Sequence, residues 1–182
     1  MQRTFRSFLA VVFFTSFAAI TYGEVWNGPP ITFTKEPADC GEFDFCSPPE
    51  LSPTLSENQD RITENVAITR SFTRGIFNIA QESRYSSESP ADTEWTYGTT
   101  DDLDSLTFSS WVDWANKEPP GTVGRDAVLH LISEDIYIDI RLTSWGAGEV
   151  GTNGSFSYVR STKPVPEPVS YTHLTLPTIC SV

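Results

Sequence analysis

The stretch that decides the fold is AVLHLISEDIYIDIRLTSW, residues 127–145. Every second residue of its later half is a branched apolar one: Ile136, Ile138, Ile140 and Leu142. Because successive side chains of a strand point to opposite faces, this half predicts a strand with one apolar and one polar face. The earlier half is apolar on both faces apart from His130, which predicts a central strand. The polar break at residues 133–135 indicates an antiparallel hairpin.

Short runs of β-forming residues recur on both sides of this hairpin, separated by breaks that contain Pro, Gly or Ser. The further predicted strands are residues 31–34, 66–70, 75–80, 93–98, 106–110 and 156–160. Pro29 and Pro30 cannot donate to a ladder, so the first strand is expected at a sheet edge. Ser110 is expected to cap one helical turn that ends at Ala115. About eight short strands without helical periodicity predict an all-β, antiparallel β-sandwich of the jelly-roll kind.

Residues 1–23 have the parts of a secretory signal peptide. Arg3 and Arg6 form a basic start, residues 7–20 are mostly apolar, and Gly23 is a small residue at the expected cleavage point. The apolar run is shorter than the roughly 20 residues that a membrane-spanning helix needs, although a retained membrane anchor is the alternative. Residues 24–163 then form one domain of about 140 residues.

The charge balance is acidic, with 24 Asp and Glu against 12 Lys and Arg and a net charge of -12. Phosphate binding depends on Lys and Arg, so this balance disfavours nucleic acid and anionic membranes as partners. It suits a soluble extracellular protein that binds cations or uncharged ligands. Cys40 and Cys46 lie in an irregular, Pro-containing stretch. In an exported protein they are expected to form a disulfide, and a metal pair is disfavoured because no further ligand is available.

The VPEP sequence at residues 165–168 matches the core of the PEP-CTERM sorting signal of exported proteins from Gram-negative bacteria. In that family an apolar transmembrane stretch and a basic cluster follow, and a membrane protease recognises the signal. Here VSYTHLTLPT follows at residues 169–178 and resembles a translated sequencing adapter. Residues 164–168 are therefore predicted to begin a sorting tail, and residues 169–182 to be adapter-derived or a disordered tail.

The domain itself resembles an uncharacterised family of secreted bacterial proteins that carry such tails. The similar segments are VWNGPPITFT at residues 25–34, NQDRIT at 58–63, NIAQE at 78–82, SPADTEW at 89–95, and most of residues 129–162. The resemblance implies export to the outer surface or extracellular matrix of a Gram-negative bacterium. It also implies a sorting protease as partner and only transient contact with the membrane. It implies no catalytic residue and no established activity.

Few residues of this sequence are candidates for catalysis. His130 is the one histidine outside the suspect tail, and its apolar strand predicts packing rather than catalysis. No nucleophile elbow, H-E-x-x-H pair or phosphate loop occurs. Asp135 and Asp139 flank the second hairpin strand and are the candidate carboxylate pair of a glycosidase. A solvated face with Asp139 beside Arg141 is the alternative.

Aromatic and acidic residues give the remaining candidates. Flat rings on a sandwich rim commonly stack against sugars, and the predicted ligand-binding residues are Trp95, Trp111, Trp114 and Trp145. Packing in the core is their alternative role. Asp101, Asp102 and Asp104 form an oxygen-rich cluster that is the candidate calcium site, with a solvated acidic loop as its alternative. No other cofactor is expected.

Two functions follow from these observations. The favoured one is a non-enzymatic, exported surface or matrix β-sandwich that binds extracellular polysaccharide or forms part of the matrix. The alternative is a secreted carbohydrate-active hydrolase that uses a carboxylate pair.

Overall fold

The computed structural model describes residues 23–37, 49–72, 74–146 and 153–166. Its strands are β1 (Glu24–Trp26), β2 (Gly28–Lys35), β3 (Asp60–Arg61), β4 (Ala67–Arg70), β5 (Ile76–Asn78), β6 (Thr93–Tyr97), β7 (Asp126–Leu131), β8 (Ile136–Trp145) and β9 (Phe156–Thr162). The single helical turn is α1 (Trp111–Trp114), and 3-10 turns occupy Pro49–Thr54, Ser56–Asn58, Thr100–Ser105 and Pro119–Thr122. In these ranges no helix is long and apolar enough to cross a membrane. The predicted signal peptide to residue 22, the Cys40–Cys46 disulfide and the tail from residue 167 lie outside them.

The strands form two sheets. The larger has the order β2-β9-β8-β7-β6, with antiparallel neighbours, and β1 pairs in parallel with the beginning of β8. The smaller has the order β3-β4-β5 and is antiparallel. The predicted hairpin is confirmed, since β7 and β8 pair with Leu129 opposite Ile138. The edge position of β2 and the internal position of β7 are confirmed as well.

The apolar face of β8 lies in the core as its alternation predicts. Ile136, Ile138, Ile140 and Leu142 are 0–7% exposed, whereas the intervening side chains are half-buried or exposed. They share one hydrophobic cluster with Ile68 and Ile76 of the smaller sheet. The fold is therefore all-β and sandwich-like, as predicted, while a jelly-roll order of connections stays a prediction.

A polar contact joins the two sheets through the core, and we call it the Asp60 clamp (Asp60, Tyr158 and Arg160). The Asp60 carboxylate accepts hydrogen bonds from Arg160 Nε at 2.6 Å and Nη2 at 2.8 Å, and from the Tyr158 hydroxyl at 2.7 Å. All three side chains are buried. Burial alone lowers the pKa of Arg160, but the hydrogen bonds and charge of Asp60 raise it overall. Burial and Asp60 raise the pKa of Tyr158 well above its ordinary value.

Two local predictions differ from the structure. The predicted strand at residues 106–110 is wrong, because this segment contributes only an isolated bridge between Trp95 and Ser109. It crosses the outer face of the larger sheet, where Phe108 contacts the rings of His130 and Tyr137. Residues 24–26, for which no strand is predicted, form β1. The expected cap is confirmed, since Ser110 Oγ accepts a hydrogen bond from the backbone N–H of Asp113 at 3.2 Å.

Candidate functional site: a basic groove

A groove lies where β4 and β8 end, beside helix α1. It has a larger chamber of about 690 Å³ and a smaller one of about 420 Å³, and both are lined by Arg74 and Tyr85. Each chamber is of the size that ligand pockets usually have. We call it the basic groove and define it by the residues that matter below: Arg70, Arg74, Gly75, Tyr85, Lys117 and Trp145 in the larger chamber, and Arg84 with Ser71, Ser86 and Ser87 in the smaller.

Arg70, from the last position of β4, lies at the base of the larger chamber and is only 3% exposed. Its Nε donates to the Arg74 carbonyl at 2.7 Å, and its Nη1 donates to the Ser155 carbonyl at 2.7 Å. The guanidinium lies 3.7 Å above the centre of the Trp145 ring, a cation–π arrangement. No carboxylate of the described residues forms a salt bridge with it. Burial lowers the pKa of Arg70 to about 10.

The turn that brings Ser155 to Arg70 depends on a glycine. Gly154 has a φ of 72°, and a Cβ there would lie 3.0 Å from the Ser71 carbonyl oxygen. A side chain would therefore be strained by its backbone angle and by close contact. An Asn-Gly pair favours a turn with positive φ, and Gly154 adopts such an angle. This close approach of two backbones holds the carbonyl that orients the Arg70 guanidinium.

A second glycine positions the aromatic wall. A Cβ on Gly75 would lie 2.4 Å from Tyr85 Cε2, so the tyrosine ring rests directly on the Gly75 backbone. Tyr85 is half-buried and lines both chambers. Trp145 is also half-buried, and the Arg70 guanidinium lies over its ring. Tyr85 is therefore the ring of this groove that is best placed to stack on a ligand.

The rim of the groove carries exposed cations. Arg74, Arg84 and Lys117 are exposed and form no salt bridge within the described ranges. Lys117 follows helix α1 with a φ of 59°, after Asn116 with a φ of 49°. Such left-handed angles cost about 1 kcal/mol or more for a residue with a Cβ. They reverse the chain so that the Lys117 N–H donates to the Val112 carbonyl at 3.0 Å, which places this lysine at the chamber.

The predicted ligand-binding tryptophans divide between the core and this groove. Trp95 and Trp114 are 0% and 6% exposed, and they pack with each other at a centroid distance of 5.4 Å. A sugar needs an accessible ring face, so the sequence-based assignment of these two to a binding rim is corrected to core packing. Trp111 lines the larger chamber but is only 2% exposed and packs against Trp95 and Trp114, so it belongs to the core as well. Trp145 lines the same chamber and is half-buried.

The two candidate catalytic carboxylates are not brought together. Asp139 accepts hydrogen bonds from the Thr100 backbone N–H at 2.7 Å and from its hydroxyl at 2.8 Å. Asp135 lies 3.2 Å from His130 Nε2. Asp139 lies within β8, whereas Asp135 precedes this strand with a φ of 51°, and the two carboxylates share no hydrogen-bond partner among the described residues. Each carboxylate therefore has a separate local role.

His130 is packed, as its apolar strand predicts. Its ring stacks on Tyr137 with a centroid distance of 4.2 Å and an interplanar angle of 1°. Nδ1 lies 3.0 Å from Glu94 Oε1, so carboxylates occupy both ring nitrogens. Burial, and then Asp135, raise the pKa of the neighbouring Tyr137 hydroxyl. No serine or threonine hydroxyl of the described residues is hydrogen-bonded to this ring.

The candidate calcium ligands lie on an exposed turn. Asp101, Asp102 and Asp104 belong to the 3-10 segment Thr100–Ser105, and all three side chains are exposed. Across the part of the chain that the structure describes, no group of three or more His, Cys, Asp or Glu has a metal-binding arrangement. The calcium site stays a prediction for solution tests.

The cations of the groove escaped the sequence reasoning because they come from separate segments. Arg70 ends β4, Arg74 lies between β4 and β5, Arg84 lies in the loop after β5, and Lys117 follows α1. One signal was present: residues 65–81 contain two arginines and no Asp or Glu, although acidic residues outnumber basic ones in the chain. Comparison with family models, curated proteins and solved structures finds no significant match to this chain.

Proposed function

We propose that this chain is an exported β-sandwich protein that binds polysaccharide in the basic groove. The main support for this proposal is the position of the Tyr85 ring. It rests on Gly75 and lines both chambers beside cationic and hydroxyl groups. A sugar ring has an apolar face that stacks on aromatic rings and a hydroxyl edge that needs polar partners. The groove offers both kinds of surface within reach of one ligand.

Export to the outer surface or extracellular matrix of a Gram-negative bacterium is part of this proposal. The signal-like residues 1–23 and the VPEP sequence at residues 165–168 support it. Val165 is 73% exposed beyond the end of β9. Mass spectrometry of the secreted protein tests the processing: a mature chain that begins at Glu24 is expected.

Binding is favoured over hydrolysis by the chemistry of the groove. Glycosidases need two carboxyl groups at the cleaved bond, and no Asp or Glu lines either chamber among the described residues. We therefore place ligand recognition here and assign no catalytic step.

Calorimetric titration with oligosaccharides tests this function, using Tyr85→Ala and Gly75→Ala. Gly75→Ala adds a methyl group where the Tyr85 ring lies, so it displaces the ring without removing a polar group. Both variants are expected to weaken glycan binding about tenfold. The matched control is Gly121→Ala, whose added Cβ meets nothing within 4 Å. Failure of every glycan to bind, or unchanged affinity in both groove variants, would contradict the proposal.

A further inference from the structure

We infer that the basic groove selects acidic polysaccharides, whose sugar rings carry carboxylate or sulfate groups. This inference rests on the proposed glycan-binding function and adds the chemical class of the ligand. It runs against the expectation from the net charge, which favoured cations or uncharged ligands. The two expectations differ because the chain as a whole is acidic, whereas this groove is basic.

The groove concentrates positive charge in an acidic protein. The chain has 12 basic residues and a net charge of -12, yet four of the basic residues line the two chambers: Arg70, Arg74, Arg84 and Lys117. Two arginines outside the groove have carboxylate partners, Arg160 in Asp60 and Arg141 in Asp126, whereas the exposed Arg61 and Arg125 form no salt bridge with the described residues. The groove cations have none within the described residues. An anionic ligand would supply the missing partner, and arginine forks suit carboxylate and sulfate geometry.

The buried arginine strengthens this reading. Arg70 is held by two backbone carbonyls and a ring face, which orient the guanidinium without neutralising its charge. Burial without a counter-ion is unfavourable, and a bound anion near the chamber base would offset that cost. Arg74 and Lys117 add two further positive charges to the same chamber, and Lys117 does so from a strained backbone position.

The two chambers favour a polymer over a single sugar. Arg74 and Tyr85 line both of them, so one chain could pass from one chamber to the other across these residues. Lys117 serves only the larger chamber and Arg84 only the smaller. A polysaccharide with an anionic group on successive sugar units would therefore find a cation in each of the two chambers. The hydroxyls of Ser86 and Ser87 in the smaller chamber suit the hydroxyl edges of the same ligand.

Nucleic acid is a poorer match for this surface. Its phosphates are closely and regularly spaced, so its binding requires many cations along one track. Here four of the 12 basic residues line one groove, and the remaining surface of a protein of this net charge repels a long polyanion. A flexible polysaccharide with separated anionic groups needs only the local contacts.

The test measures affinity for four probes: an oligogalacturonate, a dextran sulfate, a neutral oligosaccharide of matched length and a single-stranded DNA oligonucleotide. The full chain is titrated as wild type and as Arg74→Gln, Arg84→Gln and Lys117→Gln. Arg74→Gln should weaken acidic glycans about tenfold, because both chambers lose a charge-assisted contact. The other two should weaken them by roughly fivefold. Glutamine and lysine pay similar backbone costs at position 117, so the fold should be kept.

Arg141→Gln is the matched control, since its side chain is 54% exposed and lies outside the groove. It should change affinity for every probe less than twofold, whereas the three groove variants should weaken the acidic probes more than the neutral one. A preference for oligogalacturonate over dextran sulfate, or the reverse, identifies the anionic group. Circular dichroism melting verifies that each variant is folded.

Three results would overturn the inference. Equal affinity for neutral and acidic glycans, with Gly75→Ala still harmful, would remove the acidic selectivity and leave the proposed glycan function standing. No glycan binding at all would remove both. Tighter binding of the DNA oligonucleotide than of every glycan would assign the groove to nucleic acid instead.

Discussion

Two buried arginines of this protein, Arg160 in the clamp and Arg70 at the groove, hold their charge in opposite ways. Arg160 makes a two-pronged contact with Asp60 across the two sheets, at 2.6 and 2.8 Å. Arg70 has two backbone carbonyls and the Trp145 ring, and no carboxylate of the described residues. The pKa of Arg160 is raised by its partner, whereas burial lowers that of Arg70 to about 10.

The comparison shows that the charge of Arg160 stabilises the fold, whereas the charge of Arg70 remains available to a ligand. A cation neutralised inside the core contributes to the native structure and offers little field to solvent. Carbonyl dipoles and a ring face orient a cation but leave its net charge in place. The clamp is therefore structural, and the groove keeps a positive potential that a partner can use.

The largest expected effect comes from opening the clamp. Asp60→Ala leaves the Arg160 guanidinium and the Tyr158 hydroxyl buried without their partner. The free energy of unfolding should fall by about 3–5 kcal/mol, measured by urea denaturation. The control Asp126→Ala breaks the exposed pair with Arg141, at 3.4 Å, and should cost less than about 1 kcal/mol. Similar losses for both variants would mean that the clamp is no more structural than a surface pair.

Features of the fold could be predicted from the sequence when they depend on residues that are close together in the chain. The β7–β8 hairpin, the Ser110 cap and the Gly154 turn are written in neighbouring residues, and all three were predictable. Asp60 and Arg160 are 100 positions apart in sequence, and no periodicity links them. β1 was missed because three residues beside two prolines carry no strand pattern of their own.

The candidate site was harder to predict for the same reason. Tryptophans suggested a binding rim, but large aromatic rings also fill cores, and Trp95 and Trp114 do so here. The cations came from segments that only the fold brings together. Tyr85 drew no attention because its role depends on the absent side chain of Gly75. The spacing of residues along the sequence does not reveal any of these three-dimensional contacts.

A second prediction extends the comparison to Lys35, another buried cation without a carboxylate partner among the described residues. It is 1% exposed, and its Nζ donates to Ser52 Oγ at 2.9 Å. Burial, and then the nearby charge of Arg70, lower the pKa of Lys35 from 10.5 to about 8. That displacement corresponds to roughly 3 kcal/mol. Lys35→Met should therefore raise the free energy of unfolding at pH 7 by about 1–3 kcal/mol, after the loss of the two Nζ hydrogen bonds, to Ser52 Oγ and to the Glu36 carbonyl.

The pH dependence of this gain has a definite sign. Between pH 8 and 10.5 the unfolded chain binds a proton at Lys35 that the folded chain has released, so wild-type stability gains from rising pH in this window. The advantage of Lys35→Met should be full below pH 8 and shrink toward pH 10.5. Urea titrations at pH 7 and pH 10 measure it, with exposed Lys163→Met as control. An equal advantage at both pH values would show that the lysine is not buried as a charge.

A smaller effect is expected at Asp139, a carboxylate that serves as an anchor rather than an acid. It fastens the Thr100–Ser105 segment to the sheet through two hydrogen bonds to Thr100. Asp139→Asn replaces one accepting oxygen with a donor and should reduce the free energy of unfolding by about 1–2 kcal/mol. Asp104→Asn, on the exposed side of the same segment, should change it little. If the chain releases reducing sugar and Asp139→Asn abolishes this, Asp139 is catalytic and its assignment as an anchor is wrong.

The smallest effect is expected for calcium at the solvent-exposed acidic turn. Asp101, Asp102 and Asp104 are exposed on one turn, and each can be hydrated separately. A calcium ion needs six to eight oxygen ligands that converge, and extracellular modules bind it only at about 0.1–1 mM. Because a ligand of the folded state must raise the melting midpoint, adding millimolar calcium or a chelator should leave the midpoint unchanged. A rise that Asp102→Asn abolishes would instead make this turn a metal site, and a third way of compensating charge besides the clamp and the groove.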